Sequence, residues 1–144
     1  MRTLAIVEDW CVDCVLNVPI LARLAEASGP APVRFARRDE CKELAQRFRG
    51  RGDVNRVPTF VFLDERGGLI AHWSERCASS QRWMDTFTKS HPMPELDLTA
   101  GIPAPRLLDW MQLRISLERE RFYAGVWREV LAEIRAVTAR APVD

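Results

Sequence analysis

No stretch of this chain stays apolar for anything near the roughly 20 residues that a membrane-spanning helix needs, so the expectation is a soluble protein with no membrane partner. An excess of one charge is missing too: 21 basic residues against 20 acidic ones leave a net charge of +1. That removes the electrostatic argument for nucleic acid or an anionic lipid surface as a partner. Histidine is scarce, with two in the chain. His72 alternates with apolar neighbours on an expected edge strand and reads as a half-exposed packing residue, and His91, before Pro92, carries no visible role. The first residues, Met1 to Glu8, hold one basic residue and too short an apolar run to act as a signal sequence. A cytoplasmic location is therefore expected, in a reducing milieu where lasting structural disulfides are rare.

With 144 residues the chain fits one ordinary domain that can bury a core without disulfide staples. Its four cysteines are then more naturally chemistry than scaffolding, and two of them, Cys11 and Cys14, stand at i and i+3 behind Trp10. Leu4 to Val7 is a short apolar run that predicts a buried strand delivering the chain to Cys11. From Cys11 to Ala27 the residues Val15, Val18, Leu21, Leu24 and Ala25 recur at helical spacing, with Ser28-Gly29-Pro30 as a stop and Pro19 as an internal kink. Val33 to Ala36 predicts a second strand, and Asp39 is the expected cap of a helix from Glu40 to about Arg49, ended by Gly50 and Gly52.

Thr59 to Leu63 is strongly strand-forming, Asp64 to Gly68 is turn chemistry, and Leu69 to Trp73 returns antiparallel. Ser79 or Ser80 is the expected cap of a helix reaching about Ser90. Met93 to Pro105 reads as a connector, and Pro105 to Ala139 as helix with an apolar stripe from Leu107 to Val137, divided at Gly125. Trp73, Trp83, Trp110 and Trp127 are expected packing anchors, and Arg114, Glu118, Arg119, Glu120 and Arg121 a solvated face. The order predicts an α/β fold: a four-stranded mixed sheet flanked by helices over residues 1–92, with a connector and C-terminal helical extension over 93–144. The stripe would cover the domain or a second copy of it, which makes a homodimer through these helices an open expectation.

Thiol-disulfide exchange needs a thiolate, and Cys11 falls at the first turn of a helix, where unpaired amides and the positive end of the dipole favour an anion. Cys14, one turn on, lies on the same side and deeper, where it can attack a mixed disulfide at Cys11 and release the reduced partner. Cys11 is thus the candidate nucleophile and Cys14 the resolving thiol. An all-thiolate zinc site was the rival chemistry, but Cys41 and Cys77 form no second C-x-x-C, so no metal is expected and both read as small buried hydrophobes.

Trp-Cys-x-x-Cys with Pro19 five residues after Cys14, then a distant Val57-Pro58-Thr59 opening an apolar strand, resembles the thioredoxin superfamily over about residues 4 to 90. The resemblance implies a thioredoxin-like fold, a cis Pro58 lying against the sulfurs, and backbone groups at Val57 that meet an extended substrate. Trp10 would belong to the same substrate-facing surface. Glu8-Asp9-Trp10-Cys11-Val12-Asp13 with Asn17-Val18-Pro19 is similar to a bacterial group of thioredoxin-like proteins carrying Glu-Asp-Trp-Cys-x-Asp. Two residues depart from ordinary thioredoxin. Val12-Asp13 replaces Gly-Pro, and Ala5 replaces a buried acid, which leaves Asp13, Glu8 or a water as the proton acceptor for Cys14.

A helix N-terminus favours an anion by roughly 0.3 to 1 kcal/mol, whereas a carboxylate about 6 Å away opposes it by about 1 to 3 kcal/mol at effective dielectrics between 80 and 20. Asp13 is therefore expected to cancel the dipole at Cys11, with Glu8 and Asp9 pushing the same way and Arg56 offsetting them. The expected Cys11 is nearer an ordinary thiol than that of a strongly oxidising enzyme. The functional expectation is a thiol-disulfide oxidoreductase acting on a disulfide-bearing protein or small thiol, with no bound cofactor and an unidentified electron donor. The alternative is a redox-weak binding or adaptor protein on the same fold.

Overall fold

The computed structural model describes residues 1–27, 29, 33–49, 52, 55–94 and 105–139. Its elements follow the order β1 (Arg2–Val7), α1 (Val12–Ala27), β2 (Val33–Arg37), α2 (Lys42–Ala45), β3 (Thr59–Leu63), β4 (Leu69–Ser74), α3 (Ala78–Ser90), α4 (Pro105–Arg121), a π-turn segment (Phe122–Val126) and α5 (Trp127–Thr138). The strands form one mixed sheet in the order β2-β1-β3-β4, flanked by helices. β1 runs parallel to β2 and antiparallel to β3, and β3 pairs antiparallel with β4. The expected fold class is the observed one.

By its internal contacts the chain divides into two compact units, Met1–Arg76 with Trp127–Asp144, and Cys77–Val126. In the first unit β3 is buried at Thr59 through Phe62, as a central strand covered on both faces must be. On one face Ile6 and Val61 pack with Cys11, Cys14, Ala45 and Val57. On the other, register sets Ala5 opposite Phe60 and Phe60 opposite Trp73, whose rings stack with centroids 5.4 Å apart. α5 lies on β4 and α1 and buries Val130 and Ile134, four residues apart, on one stripe. The Trp73 indole N–H donates to Glu133 Oε2 at 2.9 Å, tying α5 to the sheet.

The second unit is built on aromatics. Phe87 stacks on Trp83 at 5.1 Å and on His91 at 4.7 Å, and meets Trp110 at 5.5 Å, while the Trp110 indole donates to the His91 carbonyl at 2.7 Å. α4 ends in the π-turn segment, where Gly125 takes φ 129°. The division expected at Gly125 is where the helices part.

Several local expectations fail for identifiable reasons. α2 is capped at Cys41 with no side-chain bond and spans only Lys42–Ala45. Asp39 sits earlier, its N–H donated to Glu8 Oε1 at 2.9 Å, and after Ala45 the chain tightens into i to i+3 bonds at Arg47 and Phe48. α3 starts from Cys77 rather than Ser79 or Ser80, again with no side-chain cap, and Ser80 instead accepts the Cys77 thiol at 3.4 Å. Trp127 is exposed rather than an anchor, because α5 buries Val130 and Ile134, members of the expected stripe, and Trp127 lies off it. Glu118 is buried, not solvated, and Arg114 Nε meets it at 3.1 Å. The connector over 95–104 lies outside the described residues. Among the described residues no helix is long and apolar enough to cross a membrane.

Candidate active site

β1 ends at Val7, and the turn through Asp9 and Trp10 is closed by the Cys11 N–H on the Glu8 carbonyl at 3.3 Å. The Cys11 carbonyl then accepts from the amides of Cys14 at 3.0 Å and Val15 at 3.1 Å, which makes Cys11 the residue that caps α1. Both thiols are free and buried, Cys11 at 7% and Cys14 at 5% exposure, so Cys14 is deeper only slightly. The difference between them is one of hydrogen bonding.

A hydrogen bond from Cys14 lowers the Cys11 pKa below that of an ordinary thiol and outweighs the opposing effect of burial. Asp13 pushes Cys11 upward, as expected from the sequence, but ranks behind both. Cys14 moves the other way: its bond to Cys11 and its burial hold its proton far above the usual thiol range. Cys11 Sγ also lies 3.3 Å from the Val57 carbonyl oxygen, to which it donates as a thiol. The Val57–Pro58 peptide bond is cis, and Val57 and Pro58 are buried beside the pair.

The charges are arranged differently from the expectation. Arg56 Nη1 is 3.1 Å from Glu75 Oε1. The cation on Asp13 is Arg76, with Nη2 2.6 Å from Oδ2 and Nε 3.2 Å from Oδ1. Arg76 Nη2 also lies 2.8 Å from Glu75 Oε1, so Asp13, Arg76, Glu75 and Arg56 alternate in sign. Asn17 donates to the Glu75 carbonyl at 3.1 Å, and the Glu75 amide donates to the Pro58 carbonyl at 2.7 Å. Arg76 and Glu75 had no signal in the sequence beyond their own polarity, and Asn17 none beyond its place before Val18-Pro19. Their partners are up to 63 positions away along the chain.

Glu8 is buried, with Arg37 Nη2 at 3.6 Å from Oε2, an ion-pair distance too long for a hydrogen bond. It lines, with Cys14, Val15, Val18, Pro19 and Phe35, a mostly apolar surface cleft of about 430 Å³. Asp9 is exposed, and Trp10 is 56% exposed with the Arg38 guanidinium 5.2 Å from its ring centroid. Val12 is half-buried. Cys41 stands outside the pair, its thiol donating to the Arg37 carbonyl at 3.0 Å and its pKa raised, first by burial. Among the described residues no group of three or more His, Cys, Asp or Glu is placed to hold a metal ion.

A family model described as thioredoxin matches residues 1–89. The chain belongs to the thioredoxin-like superfamily. Two solved structures share its fold: an HIV epitope-scaffold, 16% identical with a TM-score of 0.60, covering 98% of this chain and 67% of that one, and a protein of unknown function from Pseudomonas aeruginosa, 14% identical with a TM-score of 0.56, covering 96% and 64%. This thioredoxin-like chain thus spans about two thirds of the length of each, and the likeness speaks for fold alone. No curated protein matches its sequence. Within the superfamily pattern, Ala5 faces Phe60 across the sheet with no exposure, so no acid stands at that position.

Proposed function

We propose that this protein is a thiol-disulfide oxidoreductase, a reductase of protein or small-molecule disulfides. The observation that carries the reading is geometric: two free thiols stand one helical turn apart in one buried cluster, Cys11 capping α1, with Val57 and the cis Val57–Pro58 bond beside them. In the first step the Cys11 thiolate attacks one sulfur of the substrate disulfide. The S–S bond breaks, a mixed disulfide forms at Cys11, and the other substrate sulfur leaves as a thiolate. In the second, Cys14 gives its proton to Asp13, Glu8 or a water and attacks the Cys11 sulfur; the mixed disulfide breaks, a Cys11–Cys14 disulfide forms, and the second substrate sulfur leaves as a thiolate. An external dithiol donor then returns the two electrons. No bound cofactor takes part.

Val57 offers its backbone, and Trp10 its exposed ring, to an extended substrate chain. Within the superfamily, Glu8 through Asp13 favour the bacterial group carrying Glu-Asp-Trp-Cys-x-Asp, with a cytoplasmic location, residues 1–92 as the catalytic domain and 93–144 as a helical extension available for a homodimer. Reduction of insulin in the presence of dithiothreitol tests the reading. The parent should be active and Cys11→Ser inactive, while Cys14→Ser should hold a substrate in a stable mixed disulfide. Equal rates for all three would leave the second reading, a redox-weak binding protein, which the burial of Cys11 at 7% exposure favours.

A further inference from the structure

We propose that Arg76 is a positioning residue for the cysteine pair: its guanidinium clamps the Asp13 carboxylate and removes from inside the motif the negative charge that opposes a thiolate at Cys11. The inference deepens the proposed function and rests on Cys11 as the attacking thiol. Asp13 occupies a position between the two cysteines where an acid works against the chemistry. Arg76 meets it with two bonds, at 2.6 and 3.2 Å, in the fork geometry that a guanidinium makes and an ammonium does not. Both side chains are more than nine-tenths buried, at 9% and 8% exposure.

A buried ion pair is a poor way to gain stability, since desolvating two charges consumes most of their attraction and an apolar pair of similar volume does as well. Its presence at this place is better explained by what it does to the neighbouring thiol. The clamp is itself held. Glu75, at φ 67°, receives Arg76 at 2.8 Å and Arg56 at 3.1 Å, while its amide reaches the Pro58 carbonyl at 2.7 Å and its carbonyl takes the Asn17 amide at 3.1 Å. One network therefore ties the first turn of α1, the segment carrying Pro58 and the residues after β4.

The charged and titratable groups facing this region include Asp13 and Cys14 on α1, Glu8 and Asp9 after β1, Arg37 on Glu8 and Arg38 against Trp10 at the end of β2, Cys41 before α2, Arg56 before Pro58, and Glu75 and Arg76 after β4. Of these, the Asp13 carboxylate acts on Cys11 through its charge in the unfavourable sense, while the Asp13 backbone amide favours the thiolate, and Arg76 holds that carboxylate directly. Removing Arg76 takes its positive charge off the Asp13 carboxylate and penalises the Cys11 thiolate. Removing Asp13 leaves Arg76 to favour it.

The test follows alkylation of Cys11 by iodoacetamide against pH in the reduced full-length chain, read by mass spectrometry. Arg76→Met should raise the alkylation midpoint by about one pH unit, a tenfold loss of thiolate below the midpoint. Asp13→Asn should lower it below the parent's, and the double variant should return close to the parent. An unchanged midpoint in Arg76→Met overturns the proposal, as does a midpoint in Asp13→Asn at or above the parent's, which decides the matter if Arg76→Met does not fold. No substrate enters this measurement. A chain that shows the shifts but fails to reduce insulin keeps the clamp and loses the enzyme reading, and the reverse result loses the clamp alone.

Discussion

Cys11 Sγ lies 3.3 Å from the carbonyl oxygen of Val57, so the proton of the candidate nucleophile rests on the residue that precedes Pro58. A thiol can donate to that oxygen and a thiolate cannot. Ionisation of Cys11 therefore frees the Val57 carbonyl at the moment the sulfur becomes able to attack. On the proposed function, that oxygen is the acceptor for a backbone N–H of an extended substrate. The Cys11 hydrogen bond to Val57 favours the protonated form, while the Cys14 hydrogen bond favours the thiolate, and the net shift of the Cys11 pKa is downward.

The thiols should consequently react in a fixed order. With limiting iodoacetamide near neutral pH, Cys11 should be labelled first, and Cys14 and Cys41, both with raised pKa values, only after it. Cys77, with no exposure, should be labelled only on unfolding. Peptide mass spectrometry over a time course reads the order. Labelling of Cys14 ahead of Cys11, through the cleft that Cys14 lines, would reverse the assigned roles.

The same two shifts give the reduced protein a characteristic dependence of stability on pH. An unfolded thiol titrates at about 8.5. Between the lowered pKa of folded Cys11 and that value, the unfolded chain binds more protons than the folded one, so stability from Cys11 rises with pH. Above about 8.5 unfolded Cys14 ionises while folded Cys14 stays protonated, so the folded chain binds more protons and stability falls. Urea unfolding under reductant, as the difference between the parent and a Cys11→Ser/Cys14→Ser variant, should pass through a maximum between about pH 8 and pH 9. A difference that falls steadily from about pH 6 upward would contradict the lowered Cys11 pKa.

How much of this was legible in the sequence depended on whether the signal was local. The run from Thr59 to Leu63, the turn closed at Gly68 and the pair Cys11 and Cys14 each carry their pattern within a few residues, and each is found where expected. The caps carry no such local signal, because Cys41 and Cys77 begin helices without the side-chain bond that makes Asp or Ser recognisable. The clamp was invisible for a different reason. Arg76 stands in a polar segment that reads as solvated, and only the return of β4 beside the first turn of α1 brings it to Asp13. Arg56, nearer in sequence to Pro58, pairs with Glu75, which also receives Arg76.

The attachment of α5 to the sheet rests in part on one side-chain bond, from the Trp73 indole to Glu133 Oε2 at 2.9 Å. Trp73→Phe keeps a ring against Phe60 but loses a hydrogen bond to a charged group and leaves a small void, which should cost about 2 to 3 kcal/mol. Glu133→Gln keeps an acceptor and should cost about 1 kcal/mol. Urea midpoints of the two variants check the ranking. Equal losses would mean that ring packing, and not the hydrogen bond, holds Trp73.

Gly125 adopts φ 129° between α4 and α5, a backbone conformation that a residue with a Cβ takes only under strain. Gly125→Ala should therefore destabilise by about 1 to 3 kcal/mol, although alanine is the better helix former by about 1 kcal/mol at an ordinary helical position. The sign is the test. Thermal unfolding followed by far-ultraviolet circular dichroism should show a Tm lower by about 3 to 8 °C in the variant. A higher Tm would mean that α4 and α5 join into one continuous helix and that the break is not required by the fold.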